Sequence, residues 1–201
     1  MCVNLCKLNK NIWVDRDPNI TAFLSTIKGA KIFLSLDLSS AYHQISLHPL
    51  SHPLTSFVTP EGAFRYKRTP FGLASESVVF QRTIHRLFHK VKSVTYFQDD
   101  ILIFGRSKEE HDTTLKHVLL ILRDSGLTIS WDKCNIGTSG VEYLGHYLDE
   151  QGVSPKMKLI TATEDAPAPV STDQLRSFLG LAEYYSRFVP MFSVKTLHMR
   201  K

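Results

Sequence analysis

Hydrophobic residues along the chain fall into strand-like runs and helix-like spacings. Nearly continuous apolar runs at 32–38, 94–96 and 101–104 predict a core strand and, later in the chain, a tight hairpin. Apolar residues also recur every three or four positions, which predicts helices. These helical spacings cover residues 20–27, 80–91, 115–122 and 171–190. A capping-box pattern at Ser107 and Glu110 predicts where the third of these helices begins, and Gly126 where it ends.

Shorter segments complete the predicted architecture. Residues 45–67 alternate β-like pieces with turn formers, which predicts a meander or a pair of hairpins. Residues 128–131 and 142–148 predict further strands. Helices and hairpins in this order are typical of an α+β fold, in which an antiparallel sheet is covered on one face by helices.

Composition indicates a globular chain with no disulfide framework. Of the 201 residues, 43% are hydrophobic, enough for the core of one domain or one and a half. The formal net charge of +5 weakly favours a polyanionic partner. Three cysteines without a second ligand pair for zinc indicate reduced thiols in an intracellular protein. No signal peptide or apolar run of membrane-spanning length is present, so neither secretion nor membrane anchoring is predicted.

Three aspartates are the candidate chemical groups. Asp99 and Asp100 fall at the predicted hairpin turn, where adjacent carboxylates repel each other and a cation would relieve them. A solvated turn is the alternative. Asp37 lies close to the end of a nearly continuous apolar strand, so its carboxylate needs a partner or a metal unless it caps the following helix. If Asp37 and Asp99 lie on neighbouring strands, their carboxylates could share magnesium ions and support phosphoryl transfer.

Several ordered motifs resemble one known family. They are LDLSSAYHQ at 36–44, TPFGL at 69–73, FQ at 80–81, FQDDIL at 97–102, YLGH at 143–146 and LRSFLG at 175–180. With this order and spacing, the chain resembles the reverse transcriptase of long-terminal-repeat retrotransposons of the Ty3/Gypsy type, related to retroviral polymerases. The resemblance covers almost the entire chain and implies the palm of a right-hand polymerase.

The resemblance also implies roles for individual residues. Asp37, Asp99 and Asp100 resemble the catalytic carboxylate triad, with two Mg²⁺ ions, or Mn²⁺ as a substitute, held mainly by Asp37 and Asp99. Tyr42 resembles the aromatic gate that rejects a ribose 2′-hydroxyl. The nucleotide pocket is implied at Phe71, Gly72 and Gln81, and the primer grip at Tyr143, Leu144, Gly145 and His146.

The sequence departs from the family pattern at three places. Phe97 replaces the tyrosine that usually precedes the aspartate pair, a conservative change. Residues 75–77, Ser-Glu-Ser, replace Asn-Ala-Pro and bring the carboxylate of Glu76 near the expected nucleotide pocket or template. Cys6 stands where family members carry an arginine, so one positive charge is missing.

The resemblance divides the chain into three parts. Residues 1–31 are expected to be partial fingers, 32–150 the palm with a fingers-like hairpin insertion at about 45–70, and 151–201 the start of the thumb or connection. The chain is expected to begin after the basic fingers segment of its relatives and to lack their ribonuclease H domain. It could therefore be a fragment, a degraded copy or a retained remnant.

The predicted function is RNA-directed DNA polymerase activity, with a template-primer duplex of RNA or DNA and deoxynucleotides as partners. The expected location is the cytoplasm, in a virus-like particle, or the nucleus, with an oligomer or other polyprotein domains as further partners. One alternative is a remnant that binds nucleic acid with little or no catalysis. It would use the basic residues Arg82, Arg86, Lys90, Lys92, Lys156 and Lys158. A nucleotide cyclase with a similar palm is a second alternative, but it leaves 143–146 unexplained.

Overall fold

The computed structural model describes residues 3–12 and 27–199. The helix predicted at 20–27 lies almost entirely outside them. Nine strands are described: β1 (Ile32–Asp37), β2 (Phe57–Thr59), β3 (Gly62–Phe64), β4 (Val94–Phe97), β5 (Asp100–Gly105), β6 (Asn135–Thr138), β7 (Gly140–Tyr143), β8 (His146–Asp149) and β9 (Gly152–Pro155). Six α-helices are described: α1 (Cys6–Asn9), α2 (Glu76–Phe88), α3 (Lys108–Ser125), α4 (Met157–Glu164), α5 (Thr172–Tyr184) and α6 (Phe192–Lys195).

The central sheet contains four strands in the order β4-β5-β1-β6, and every pair in it is antiparallel. Strand β1 lies between β5 and β6 and is buried on both faces of the sheet, which explains its nearly continuous apolar sequence. The register of β1 on β5 runs from Ile32 opposite Gly105 to Asp37 opposite Asp100. This register brings two of the three candidate aspartates to the same end of the sheet.

Each face of the central sheet has its own hydrophobic core. Helices α2 and α3 cover one face, where Phe80, Ile84 and Val118 are fully buried against β1 and β5. The opposite face is covered by a three-stranded sheet, β7-β8-β9, whose Val141 and Leu148 pack with Phe33 of β1. The predicted α+β layer with helices on one face is therefore confirmed, and a second sheet completes the other face.

The sequence signals that predicted both ends of helix α3 are confirmed. The Ser107 hydroxyl accepts a hydrogen bond from the Glu110 amide at 3.3 Å, and Gly126 ends the helix with a φ of +70°. The Glu110 carboxylate accepts from the Arg106 amide and the Ser93 hydroxyl, both at 2.9 Å. These contacts fix the start of α3 against the loop that leads into β4.

The strand predicted at 128–131 is wrong. Only a single bridge forms there, between Leu38 and Ile129, and a 3₁₀ turn, Trp131–Lys133, follows. The reason is that the Gln44 side chain binds both main-chain groups of Thr128, at 2.7 and 3.0 Å. The Thr128 carbonyl still accepts from the Ser39 amide at 3.0 Å, but the Thr128 amide binds a side chain instead of the backbone of a neighbouring strand.

The single strand predicted at 142–148 is also wrong, because the chain reverses in its middle. Strands β7 and β8 form a hairpin with Tyr143 opposite His146. The loop residues Leu144 and Gly145 have φ values of +47° and +77°, as a two-residue turn of type I′ requires. The Leu-Gly pair is the sequence feature that indicates this turn, although the residues around it resemble a single strand.

Two other predicted segments differ in extent. Within 45–67 the structure has one hairpin, β2–β3, preceded by a 3₁₀ helix, Pro49–Thr55. The helix predicted at 171–190 ends at Tyr184 and continues as a short 3₁₀ turn, Ser186–Phe188. No helix in the described part of the chain combines the length and hydrophobicity needed to cross a membrane.

Candidate active site

The β4–β5 hairpin carries the aspartate pair on a two-residue turn. Phe97 pairs with Asp100, so the turn itself consists of Gln98 and Asp99. Gln98 has a φ of +52°, and its amide donates a hydrogen bond to the Gln81 Oε1 atom of α2 at 2.7 Å. The Leu38 amide donates to the Asp99 carbonyl at 3.1 Å. The turn is therefore held from α2 on one side and from the end of β1 on the other.

Asp37 and Asp100 are cross-strand partners, so their side chains emerge on the same face of the sheet. They border a polar cavity of about 130 Å³, lined also by Lys133, Asn135, Glu142 and Tyr143. We call this cavity the acidic pocket. Asp37 does not cap the following 3₁₀ helix, since Ser40 occupies the N-cap position there.

Charge within the acidic pocket is only partly compensated. Lys133 Nζ lies 3.4 Å from the Oδ1 atom of Asp37, an ion-pair distance without hydrogen-bond geometry. That oxygen is buried and has no hydrogen-bond partner in the described structure. A buried carboxylate oxygen in this condition is costly, and a bound cation would satisfy it.

Asp100 experiences the same imbalance. Burial raises the pKa of its carboxyl above the ordinary range, and the negative charges of Asp99 and Asp37 raise it further, while Lys133 lowers it. The three aspartates thus contribute three negative charges, and Lys133 contributes one positive charge. The arrangement favours binding of a cation or protonation of Asp100.

The predicted nucleotide-pocket residues lie beside the turn. The Tyr42 ring packs edge-on against Phe71 and Phe80, with centroids 5.7 and 5.6 Å apart. Its hydroxyl donates to the Gln98 Oε1 atom at 3.3 Å. Gln81, only 7% exposed, holds the amide of the same residue. Tyr42 and Gln81 therefore both form hydrogen bonds with Gln98.

Phe71 and Gly72 lie in the loop before α2. Phe71 is half exposed and forms part of the floor on which the Tyr42 ring rests. The Gly72 carbonyl accepts a hydrogen bond from the Asn9 side chain at 2.8 Å, and the Ala74 amide donates to the same side chain at 2.9 Å. Asn9 thus fixes the loop from the amino-terminal segment.

The predicted primer-grip residues lie in two different environments. Tyr143 and Leu144 line the acidic pocket, and the Tyr143 hydroxyl donates to the Asp100 carbonyl at 3.1 Å. Burial, followed by the nearby Asp100 charge, raises the pKa of Tyr143 far above its ordinary value. His146 is instead buried behind the β7–β8 turn, stacked on Tyr184.

Four residues of this site were not singled out from the sequence. Lys133, Asn135 and Glu142 line the acidic pocket, and Asn9 fixes the loop at Gly72. Glu142 also forms an ion pair with Lys156. No local pattern marks Lys133, because only the tertiary fold brings the turn after α3 beside β1.

Solved structures with the same fold include reverse transcriptases. The chain superposes on a foamy viral protease-reverse transcriptase in complex with double-stranded DNA with a TM-score of 0.87 and 22% identity, covering 96% of this chain and 34% of that one. A foamy viral protease-reverse transcriptase in complex with an RNA/DNA hybrid gives a TM-score of 0.81 and 21% identity, covering 98% and 27%. By its architecture the chain has a reverse-transcriptase fold.

Sequence comparison gives the family. The reverse transcriptase (RNA-dependent DNA polymerase) family matches residues 4–148, and the chain belongs to it. Similar proteins include the retrovirus-related Pol polyproteins from transposons gypsy and opus of Drosophila melanogaster, each 33% identical over 96% and 86% of this chain. The transposon Tf2-3 polyprotein of Schizosaccharomyces pombe is 34% identical over 89%.

These relatives agree with the Ty3/Gypsy-type resemblance, which is thereby confirmed. The chain spans 19%, 17% and 14% of the gypsy, opus and Tf2-3 polyproteins. It therefore corresponds to a small part of each of them.

Proposed function

We propose that the chain catalyses RNA-directed DNA synthesis, in which a primer 3′-hydroxyl attacks the α-phosphorus of a deoxynucleoside triphosphate and pyrophosphate leaves. The observation that carries this proposal is the cross-strand pair Asp37 and Asp100, with the Asp99 turn beside it and one buried carboxylate oxygen without a hydrogen bond. Membership of the reverse transcriptase family supplies the reaction class.

The donor set of the acidic pocket suits divalent magnesium, with manganese as a substitute. Its carboxylates are hard oxygen ligands, and their mutual repulsion is what a divalent cation removes. Among the described residues no three His, Cys, Asp or Glu side chains form a complete ligand cluster. This is compatible with Mg²⁺, which usually takes one or two carboxylates together with water and substrate phosphates. When bound, two such ions supply activation of the attacking hydroxyl and stabilisation of the leaving oxygens.

The chain's own residues would position the substrates. Asp37, Asp99 and Asp100 would hold the ions, and the Tyr42 ring would lie under the sugar and exclude a 2′-hydroxyl. Phe71, Gly72 and Gln81 would form the floor and wall of the nucleotide site. The primer terminus would rest on Tyr143 and Leu144, with Gly145 and His146 supporting that turn from behind.

The duplex partner is inferred from chemistry and from relatives. The chain carries a formal charge of +5, and two structures that share its fold hold double-stranded DNA or an RNA/DNA hybrid. We infer a template-primer duplex lying across the palm, proposed as residues 32–150, between partial fingers at 1–31 and the start of the thumb at 151–201. The remnant hypothesis is less favoured, because all three aspartates are present.

Primer extension on an RNA template with deoxynucleotides and Mg²⁺ or Mn²⁺ tests this proposal. The parent chain should extend the primer, and Asp37→Asn and Asp99→Asn should abolish extension while retaining the fold. Asp124→Asn, an exposed aspartate at the end of α3, is the matched control and should keep full activity. Salt-sensitive duplex binding without any extension by the folded parent would contradict the proposal and favour the remnant.

A further inference from the structure

An aromatic cluster joins helix α5 to the β7–β8 hairpin. The buried His146 ring stacks on Tyr184, with centroids 5.4 Å apart and planes inclined by 10°. Tyr185 and Phe188 approach the same ring edge-on at 6.0 and 5.8 Å. The cluster places α5 directly behind the turn that borders the acidic pocket.

The two tyrosines also bind the main chain of this turn. The Tyr184 hydroxyl donates to the Leu144 carbonyl at 2.8 Å, and the Tyr185 hydroxyl donates to the Gly145 carbonyl at 3.2 Å. Consecutive carbonyls of a two-residue turn are thus held by consecutive residues of one segment. The orientation of the turn is therefore fixed relative to α5.

Tyr184 packs so closely against the second residue of the turn, Gly145, that only glycine fits there without a shift. A Cβ atom on Gly145 would lie 2.9 Å from the Tyr184 hydroxyl oxygen but 3.5 Å from the ring carbon that bears it. The first distance is too short for a carbon atom, whereas the second is an ordinary van der Waals contact. A side chain on Gly145 would consequently displace either the hydroxyl or the turn.

The turn leads directly to the acidic pocket. Leu144 lines the pocket, and the preceding residue, Tyr143, donates its hydroxyl to the Asp100 carbonyl at 3.1 Å. Two hydrogen bonds, linked by the covalent chain of residues 143–144, therefore connect α5 through the turn to the strand that carries Asp100. A shift of α5 would be transmitted to the surface on which the primer terminus is proposed to rest.

We propose that Tyr184 and Tyr185 are positioning residues that hold the β7–β8 turn in register with the acidic pocket. Their part in primer placement rests on the proposed function, but their hold on the turn does not. The tests below separate these two statements, because the first measures stability and the second measures nucleotide addition.

A double-mutant cycle tests the hold on the turn. Gly145→Ala should destabilise the chain, and Tyr184→Phe should relieve part of that penalty because it removes the conflicting hydroxyl. The two changes should be coupled by about fivefold in the unfolding equilibrium constant, within the range for contacting residues. Gly152→Ala is the matched control, since Gly152 also has a positive φ, +129°, but nothing lies within 4 Å of its added Cβ. Gly152→Ala and Tyr184→Phe should be additive.

Additivity of Gly145→Ala with Tyr184→Phe would overturn the proposal, since the hydroxyl would then not restrain the turn. If Gly145→Ala alone does not fold, recovery of folding by Tyr184→Phe supports the contact, and failure to recover it contradicts the contact. Neither result depends on polymerase activity.

Single-turnover nucleotide addition tests the positioning role. Tyr184→Phe and Tyr185→Phe should each lower the rate at saturating deoxynucleotide by about fivefold, the loss expected for one neutral hydrogen bond. The KM for the nucleotide should stay unchanged, because Tyr42 and Gln81 are not touched. Tyr147→Phe on β8 is the matched tyrosine control and should keep the parent rate.

If the two changes are coupled in stability but the nucleotide-addition rates are unchanged, the tyrosines hold the turn without positioning the primer. That result would overturn the positioning part of the proposal. A parallel rise in nucleotide KM would also overturn it, since a displaced nucleotide site would then be responsible. A parent chain that adds no nucleotide would contradict the proposed function, and the stability cycle would then decide the proposal about the turn.

Discussion

The hydrogen bond from the Gln98 amide to Gln81 is the contact most open to a quantitative test. Gln98 has a φ of +52°, a conformation that costs a residue with a side chain about 1–2 kcal/mol. Its amide donates to the Gln81 Oε1 atom at 2.7 Å. We therefore expect the Gln81 side chain to stabilise a turn that is intrinsically unfavourable.

Gln81→Met removes the acceptor and keeps the length of the side chain. Gln81 is only 7% exposed, so water cannot easily replace its oxygen. A donor left unsatisfied in such a place costs about 1–3 kcal/mol. For a chain of this size, a loss of about 2 kcal/mol lowers Tm by about 4–8 °C.

Thermal and denaturant unfolding of Gln81→Met, followed by circular dichroism, measures this loss. Arg86→Met is the matched control, because the exposed Arg86 lies on the same helix and should change the free energy of unfolding by less than about 0.5 kcal/mol. Gln81→Met should also slow primer extension, because the turn carries Asp99. Equal stability of the two variants would refute the reasoning, since the amide of Gln98 would then not depend on Gln81.

Two further predictions concern charge in the acidic pocket. The pKa of Asp100 is raised in the folded state, so its carboxyl lowers stability as the pH rises from its unfolded pKa of about 3.9 through the folded value. Asp100→Asn should therefore be more stable than the parent at pH 7 but not at pH 3, as measured by urea unfolding across this pH range; an equal gain at both values would contradict it. Lys133→Met removes the cation that lowers the pKa of Asp100 in the folded state, so the loss of stability should extend to higher pH. The same unfolding series would contradict this if the upper limit of the range did not change.

Local signals in the sequence predicted most individual elements. The β1 run, the β4–β5 hairpin and the capping box at Ser107 each depend on neighbouring residues, and all three form. The segment 128–131 has strand-like composition, yet it forms only a bridge because the distant Gln44 side chain binds its backbone. Propensity fails there because a contact between residues 84 positions apart takes the Thr128 amide, so the pairing with the end of β1 stops after one bridge.

The candidate site was predicted at the level of residue types but not of geometry. Motifs indicated the three aspartates, Tyr42 and Gln81. The cross-strand pairing of Asp37 with Asp100 depends on the register of β1 against β5, which no local pattern fixes. Lys133 was missed for the same reason, since its approach to Asp37 depends on how the turn after α3 packs.

The way the hairpin is held explains how like charges can be kept together in a folded chain. Each hydrogen bond that fixes the aspartate pair binds main-chain atoms: the Leu38 amide holds the Asp99 carbonyl, and the Tyr143 hydroxyl holds the Asp100 carbonyl. The position of the turn therefore does not depend on neutralising its carboxylates. Because the backbone is anchored independently, the side-chain oxygens can be directed at a cation and a substrate.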